Sequence, residues 1–251
     1  MRVLKQSSVY LFFLLIFAGC SNDDDSYDRY WIDIATVENP QNSNEFFLRL
    51  DDNTLLWTEE SNFPTYKPAD GQRVIANYSI VSDKHATGLY DYDVKLNDVY
   101  EVLTKGIFEI SPETQDSIGN DSIYVSDIWV GSNYLNVEFV YQGFSKTHFI
   151  NLVSDTAKTY TDDGKVHLEF RHNANNDLGL YDRWGIVSFD ISSLQQNHTD
   201  SVNLVIHVNE PDKVADKLYE LTYYFDSGSS GIKKGTLRSS FLNGIQDVDI
   251  E

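Results

Sequence analysis

Cysteine is almost missing: the chain of 251 residues has one, Cys20. A single thiol cannot build an intrachain disulfide framework or a cysteine-rich zinc site. Positive charge is also scarce, with 19 Lys and Arg against 39 Asp and Glu, a net charge of -20. Nucleic-acid phosphates would be repelled by such a surface, so no nucleic-acid partner is expected. Long apolar runs are missing too. The longest, Val9 to Ala18, is about half of the roughly 20 residues a bilayer-spanning helix needs. Catalytic signatures are equally sparse: there is no HExxH, no G-x-S-x-G elbow and no Gly-rich phosphate loop opening a helix. What is present is a hydrophobic fraction of 41%, enough to bury a core and to exclude wholesale disorder.

The N-terminus reads MRVLKQSSVYLFFLLIFAGC. Arg2 and Lys5 give a positive start, the short apolar run follows, and small residues precede Cys20. That is the three-part form of a secretory signal, assigned to residues 1–19. Phe17-Ala18-Gly19-Cys20 resembles the lipobox of bacterial lipoproteins, with Phe17 in place of the usual Leu. The resemblance implies cleavage before Cys20 and acylation of that residue. Each buried CH₂ contributes about 0.8 kcal/mol, so several chains together hold a protein on a membrane. Removal of residues 1–19 takes away Arg2 and Lys5 and no acid, leaving 17 basic against 39 acidic residues, net -22. Residues 20–30 form an acidic tether, because like charges repel and extend a chain. Its Ser21-Asn22-Asp23-Asp24-Asp25 resembles the export signal of surface-exposed lipoproteins in Bacteroidetes. The expected location is the outer membrane, on the cell surface.

Past the tether, alternation with period two dominates. Tyr92, Val94 and Leu96, then Leu135, Val137, Phe139 and Tyr141, then Val166, Leu168 and Phe170, and then Val202, Leu204, Ile206 and Val208 each line one face of a strand. Turn signals such as Asp162-Asp163-Gly164 and Asp226-Ser227-Gly228 punctuate them. Many short strands with such turns give an all-β protein of sandwiches or barrels. Only Val99–Leu103 and Val214–Tyr219 have a helical look. The segment 111–122, rich in Asp and Ser, reads as a linker between an N-terminal domain at 31–110 and a C-terminal domain at 123–251. The last stretch, 226–251, reads as an edge strand or a tail.

Several stretches carry a resemblance to a family. GQRVIANYSI (71–80), YDVKLNDVYEVLTKGI (92–107), IWVGSNYLNVEFVY (128–141), HLEFRHNANND (167–177) and GIVSFDIS (185–192) are similar to NigD-like lipoproteins of Bacteroidetes, in order along nearly the whole mature chain. The resemblance implies an N-terminal OB-like β-barrel followed by a C-terminal β-sandwich. The family has no established activity. Its association with a bacteriocin gene cluster implies an immunity role, which fold alone does not carry.

The six histidines, His85, His148, His167, His172, His198 and His207, show no metal-binding spacing. His167 and His172 differ by five positions and face opposite sides of a straight strand. Asp155, Asp162 and Asp163 near one turn, and Asn173, Asn175, Asn176 and Asp177 near another, have the oxygen ligands Ca²⁺ favours but not EF-hand spacing. Turn chemistry is the preferred reading there. Glu59 and Glu60 are adjacent and would point to opposite faces of a strand, so they form no glycosidase pair. Trp31, Trp57, Trp129 and Trp184 read as sheet packing, and of Tyr223 and Tyr224 one is expected to be exposed. Ser117, Ser122, Thr156 and Ser201 each follow an Asp and precede an aliphatic or Ala residue. They resemble the O-glycosylation acceptor of Bacteroidetes. No catalytic residue, cofactor or metal is expected. The expected function is a membrane-anchored, non-enzymatic binding protein whose partner is an envelope protein, a bacteriocin or a glycan. The alternatives are a cell-surface polysaccharide hydrolase and a structural subunit of an envelope complex.

Overall fold

The computed structural model describes residues 30–225, except 40, 42–43, 64, 83–87, 113, 115–117, 157, 159, 161–162, 196–198 and 212–213. The signal segment, Cys20 and the tail after 225 lie outside the described residues.

The first module comprises β1 (Trp31–Glu38), β2 (Phe47–Leu50), β3 (Leu55–Ser61), β4 (Arg73–Ile80) and β5 (Tyr92–Glu101). They close a barrel in the order β1-β2-β3-β5-β4. β1 does this by pairing twice. Its first half runs against β4, with Ile34 opposite Ile75, and its second half against β2, with Val37 opposite Leu48. The parallel pair β3–β5 completes the ring. Alternation sends Ala35, Val37, Leu48, Leu56, Val94 and Leu96 into the lumen. This is the OB-like barrel the sequence implied.

The second module comprises β6 (Leu103–Ile110), β7 (Tyr124–Gly131), β8 (Tyr134–Gly143), β9 (Phe149–Asp155), β10 (Val166–Asn173), β11 (Tyr181–Asp190), β12 (Ser201–Val208) and β13 (Lys217–Tyr224). The strand order is β13-β12-β10-β9-β6-β11-β8-β7. β6 joins the two layers: Leu103–Gly106 pair with β11 and Ile107–Ile110 with β9, both parallel. The layers enclose Leu135, Val137, Phe139, Phe170, Phe189 and Ile206. The far edges meet as well, since the Tyr219 hydroxyl donates to the Val125 carbonyl at 3.4 Å. β13 buries Tyr223 and leaves Tyr224 47% exposed, as strand alternation required.

Two expectations need correction. The chain leaves the barrel at Val102, not at 111–122, because β6 belongs wholly to the sandwich. The described residues at the end of that segment instead lie against the sandwich. There Asp121 N–H donates to the His172 carbonyl at 2.8 Å, and Ile123 N–H to that of Asn209 at 3.0 Å. The helical look of Val99–Leu103 and Val214–Tyr219 also fails, since these residues end β5, begin β6 and begin β13. Ladder pairing across the sheet outweighs a weak local preference.

The modules are joined by an apolar contact with a polar bolt through it. Ile32, Ile34 and Ile75, on the outside of the barrel, meet Trp129 and Ile186 on the outside of the sandwich. Beside them Arg73 is 1% exposed. Its Nη1 lies 2.8 Å from Asp51 Oδ1, and its Nη2 donates to Asn136 Oδ1 at 3.0 Å. Nη1 also donates to the Thr36 hydroxyl at 3.0 Å, and the Tyr134 ring lies 4.5 Å from the guanidinium carbon. Asp51 Oδ2 accepts from Trp129 Nε1 at 3.1 Å and Asn136 Nδ2 at 2.9 Å. Gly131 is what lets Asp51 in: a Cβ there would fall 2.2 Å from the carboxyl group.

Breaking one side of a buried pair strands a charge, at a typical cost of about 3–5 kcal/mol. Arg73→Ala and Asp51→Ala are each expected to lower stability by about that much in urea unfolding. The double variant should lose less than the two combined, because the partners share one interaction.

Candidate binding cleft

The outer face of β7, β8 and β11 is a series of cross-strand rows. Register sets their composition. Trp129, Asn136 and Ser188 form the row gripped by the barrel. Asp127, Glu138 and Ile186 form the next. A bulge between Val125 and Asp127 keeps Tyr124 on the same face, giving Tyr124, Val140 and Trp184 as the third row. Gln142 and Asp182 follow. The barrel covers the first row and Ile186. Beyond it Tyr124 is 50% and Trp184 45% exposed.

A cleft of about 450 Å³ opens here, lined among others by Tyr124, Val140, Gln142, Asp182, Trp184 and Gly179. One wall is the loop 174–180 after β10, through Ala174, Asp177 and Gly179, and the loop 144–148 after β8 adjoins that loop outside the cleft. Asp177 ties them together: its Oδ2 accepts from Phe144 N–H at 2.5 Å and Ser145 N–H at 3.1 Å. Lys146 Nζ answers by donating to the carbonyls of Asn175 at 3.0 Å and Asn176 at 2.9 Å. Asn175 and Asn176 both have positive φ, which Asn tolerates best among residues with a Cβ. The loops therefore present Phe144, Leu178 and Leu180, at 46%, 61% and 55% exposure, on a fixed frame.

Under the cleft runs a chain of rings. His172 Nδ1 lies 3.2 Å from the Ser122 carbonyl, His172 Nε2 lies 2.7 Å from His148 Nδ1, and His148 Nε2 lies 3.2 Å from Asp177 Oδ2. A carbonyl only accepts, so His172 carries its proton on Nδ1 and accepts at Nε2. His148 stands between them, with one ring nitrogen facing His172 and the other the Asp177 carboxylate. Burial pushes the His172 imidazole down to about 4, against the pull of the Ser122 carbonyl. Burial works against the ionised Asp177, but the Phe144 N–H, His148 and the Ser145 and Leu178 N–H groups outweigh it and hold this carboxyl well below its ordinary range.

The other sequence-derived candidates scatter. Ser117 and Cys20 lie outside the described residues, as do His85, His198 and Asp162. Ser122 is exposed at the cleft lining, so a sugar there would compete with anything occupying the cleft. Thr156 is exposed, its hydroxyl donating to the Ile110 carbonyl at 3.1 Å. Ser201 starts β12 opposite Tyr224. His167 does face away from His172, and meets His207 at 2.9 Å and the Tyr160 ring at 4.6 Å between centroids. Among the described residues no group of three or more His, Cys, Asp or Glu is arranged to hold a metal. The two turn clusters go to structure: Asp155 sits 3.9 Å from Arg171, Asp163 caps Lys165 N–H at 3.0 Å, and Asp177 serves the loops. Glu59 and Glu60 are both exposed beside a bulge in β3. Trp129 is buried and Trp31 and Trp57 are half-buried, as expected; Trp184 is the exception. His148 was missed as Asp177's partner, since 29 positions separate them and only folding joins them.

Residues 34–102 match the NigD-like N-terminal OB domain and residues 106–223 the NigD-like C-terminal beta sandwich domain. The chain belongs to the NigD-like family. The first match ends at Val102, where the strands change module, and the second begins at Gly106. Among solved structures, a protein described as toxin-related from Parabacteroides distasonis is 32% identical. The alignment covers 79% of this chain and 95% of that one, with a TM-score of 0.67. A protein of unknown function from Bacteroides vulgatus is 28% identical over 86% and 99%, with a TM-score of 0.72. A NigD-like immunity protein from Bacteroides caccae shares the fold at 18% identity over 80% and 98%, with a TM-score of 0.60. No curated protein matches the chain.

The His172 shift fixes a sign. An imidazole depressed in the folded state binds its proton first in the unfolded chain. Its contribution is present above about pH 6.5 and is lost as pH falls toward about 4. His207, also lowered by burial, acts in the same direction. The melting temperature is expected to fall across that window in scanning calorimetry, and His172→Asn to flatten the fall.

Proposed function

We propose that the protein is a lipid-anchored lipoprotein of the outer membrane, facing the cell surface, that binds a protein partner and does no chemistry on it. The anchor rests on Cys20 behind its signal segment. No helix of the described residues is long and apolar enough to cross a membrane, which leaves lipid as the attachment this reading uses. The observation that carries the binding role is the exposed Tyr124–Trp184 row beside two loops locked by Asp177. Exposed apolar groups on a rigid, polar-rimmed frame are the mark of an interaction site. The relative described as toxin-related and the fold relative described as an immunity protein favour a polypeptide partner of the bacteriocin kind over a small metabolite.

The non-catalytic reading is supported by how the cleft's carboxylates are used. Asp177 accepts from the loops and His148, Asp121 accepts from Ala174 N–H at 2.7 Å, and Asp182 accepts from the Gln142 amide. A glycosidase acid needs a carboxyl kept protonated by an apolar, unpartnered setting. The polysaccharide-hydrolase alternative therefore draws support only from the aromatic lining, and reducing-sugar release from envelope polysaccharide by the purified protein would revive it. The structural-subunit alternative would need a partner strand on β13 or β7, and these edges already approach each other.

The anchor is tested by fractionation. Cys20→Ala is expected to move the protein from the membrane pellet to the soluble fraction and to abolish its labelling with radioactive palmitate. A variant that still pellets and labels like the parent would overturn the anchor.

A further inference from the structure

We infer that the uncovered outer face of β7, β8 and β11 receives a basic, apolar-bearing segment of a partner polypeptide. This deepens the proposed binding role and rests on it.

The first ground is the order of the rows. Strand pairing places Tyr124, Val140 and Trp184 between Asp127 and Glu138 on the barrel side and Gln142 and Asp182 on the other. An aromatic row is thus bracketed by carboxylates. Successive rows on one strand face are about 6.8 Å apart, twice the rise per residue. An extended segment with a cation on each side of an apolar side chain matches that spacing. Indole and phenol faces add attraction for ammonium and guanidinium groups.

The second ground is charge. The local cations are already engaged. Lys217 pairs with Glu210 at 3.0 Å, Arg183 Nη2 donates to the Phe144 carbonyl at 3.2 Å, and Lys146 holds the loop carbonyls. The exposed Asp121, Asp127 and Asp182 remain around the row, on a chain of net charge -20. That field draws a cationic partner and repels an anionic one.

The third ground separates polypeptide from sugar. Leu178 and Leu180 flank Gly179, which packs over Gln142, with the Gly179 Cβ position 3.0 Å from the Gln142 Cβ. Leu178 and Leu180 are more than half exposed, beside the cleft lining and not within it, within reach of a segment that runs past the cleft. Stacking on a sugar ring uses aromatic faces and gains little from branched aliphatic groups. An apolar side chain of a polypeptide uses both. The frame is also fixed in advance by Asp177 and Lys146, so little ordering remains to be done on binding.

The test is calorimetric titration of the whole mature chain at 150 mM NaCl with the synthetic ten-residue peptide Arg-Ser-Trp-Ser-Arg-Ser-Leu-Ser-Arg-Ser, which sets Arg and apolar side chains on one strand face two residues apart. The same peptide with Glu for Arg, and cellohexaose, are run in parallel. The Arg peptide is expected to bind, with its Kd raised at least tenfold by Trp184→Ala and at least threefold by Asp182→Asn. Trp184→Phe should restore most of the affinity, and Phe63→Ser, an exposed aromatic on the barrel, should leave it unchanged. Circular dichroism melts establish that each variant is folded; Asp182→Asn, at an exposed position, keeps the test decisive if Trp184→Ala is not. Three results would overturn the inference: equal binding of the Glu peptide, affinity indifferent to both Trp184 and Asp182, or Trp184-dependent binding of cellohexaose in place of the peptide. None of these bears on Cys20 or on turnover, so the broader reading stands or falls separately.

Discussion

A guanidinium buried between two modules, facing one carboxylate, dictates how this molecule is put together. Taking Arg73 and Asp51 out of water is costly, and mutual attraction repays it only when geometry is good and the remaining polar atoms are satisfied. Groups from the opposite module satisfy Asp51 Oδ2 and the arginine, while Asp51 Oδ1 faces Arg73 Nη1 at 2.8 Å without an aligned hydrogen bond. Asn136 accepts from the arginine and donates to the aspartate, and Trp129 donates to the aspartate as well. A shift of even one residue in how the barrel sits would leave these groups unpaired in an apolar surround. The isoleucines of the contact supply non-directional attraction, and the polar bolt supplies orientation. That division explains why a glycine stands at 131, where any side chain would push Asp51 away.

The consequence is a sheet face used in two ways. At one end the outward residues of β7, β8 and β11 are buried by the barrel. At the other they meet solvent with aromatics in place. Trp129 and Trp184 occupy equivalent outward positions on the same face, yet one is 7% and the other 45% exposed. The difference is set by where the barrel stops. The bolt thus fixes how much of this sheet face the barrel covers and how much it leaves open.

This is why part of the architecture was legible in the sequence and part was not. Period-two alternation reports which side of its own strand a residue occupies, and it placed Leu135, Val137, Phe139, Leu204 and Ile206 correctly in the sandwich core. The same local geometry separated His167 from His172 and Tyr223 from Tyr224. It cannot report whether an outward face is later covered. Arg73 sits in a strand whose Val74, Ile75 and Ala76 are all buried, and such an unbroken apolar run is the one local hint that both faces are packed. The role of β6 was hidden for another reason. Thr114 N–H donates to the Ser111 carbonyl in a turn here, but a turn between strands of one module looks the same in sequence as a linker between two. The His148–His172–Asp177 chain was hidden because its members come from one strand and two loops, and only the loop conformation set by Asn175 and Asn176 brings the carboxylate under the ring.

That chain links the core of the sandwich to its exposed tip. Tyr141, in the core, lies 4.4 Å from the His148 ring and 5.5 Å from the His172 ring between centroids. His148 then meets Asp177, and Asp177 holds the backbone of Phe144 and Ser145. Loops at the end of a sandwich are ordinarily its least ordered parts. Here they are continuous with the core through buried polar contacts, and their exposed leucines and phenylalanine have a fixed backbone beneath them. A surface of this kind loses little conformational freedom when it meets a partner, so the apolar area it offers is not spent on ordering itself. The pattern of shape and charge on this face is written by strand register, from the Asp127 row to Asp182.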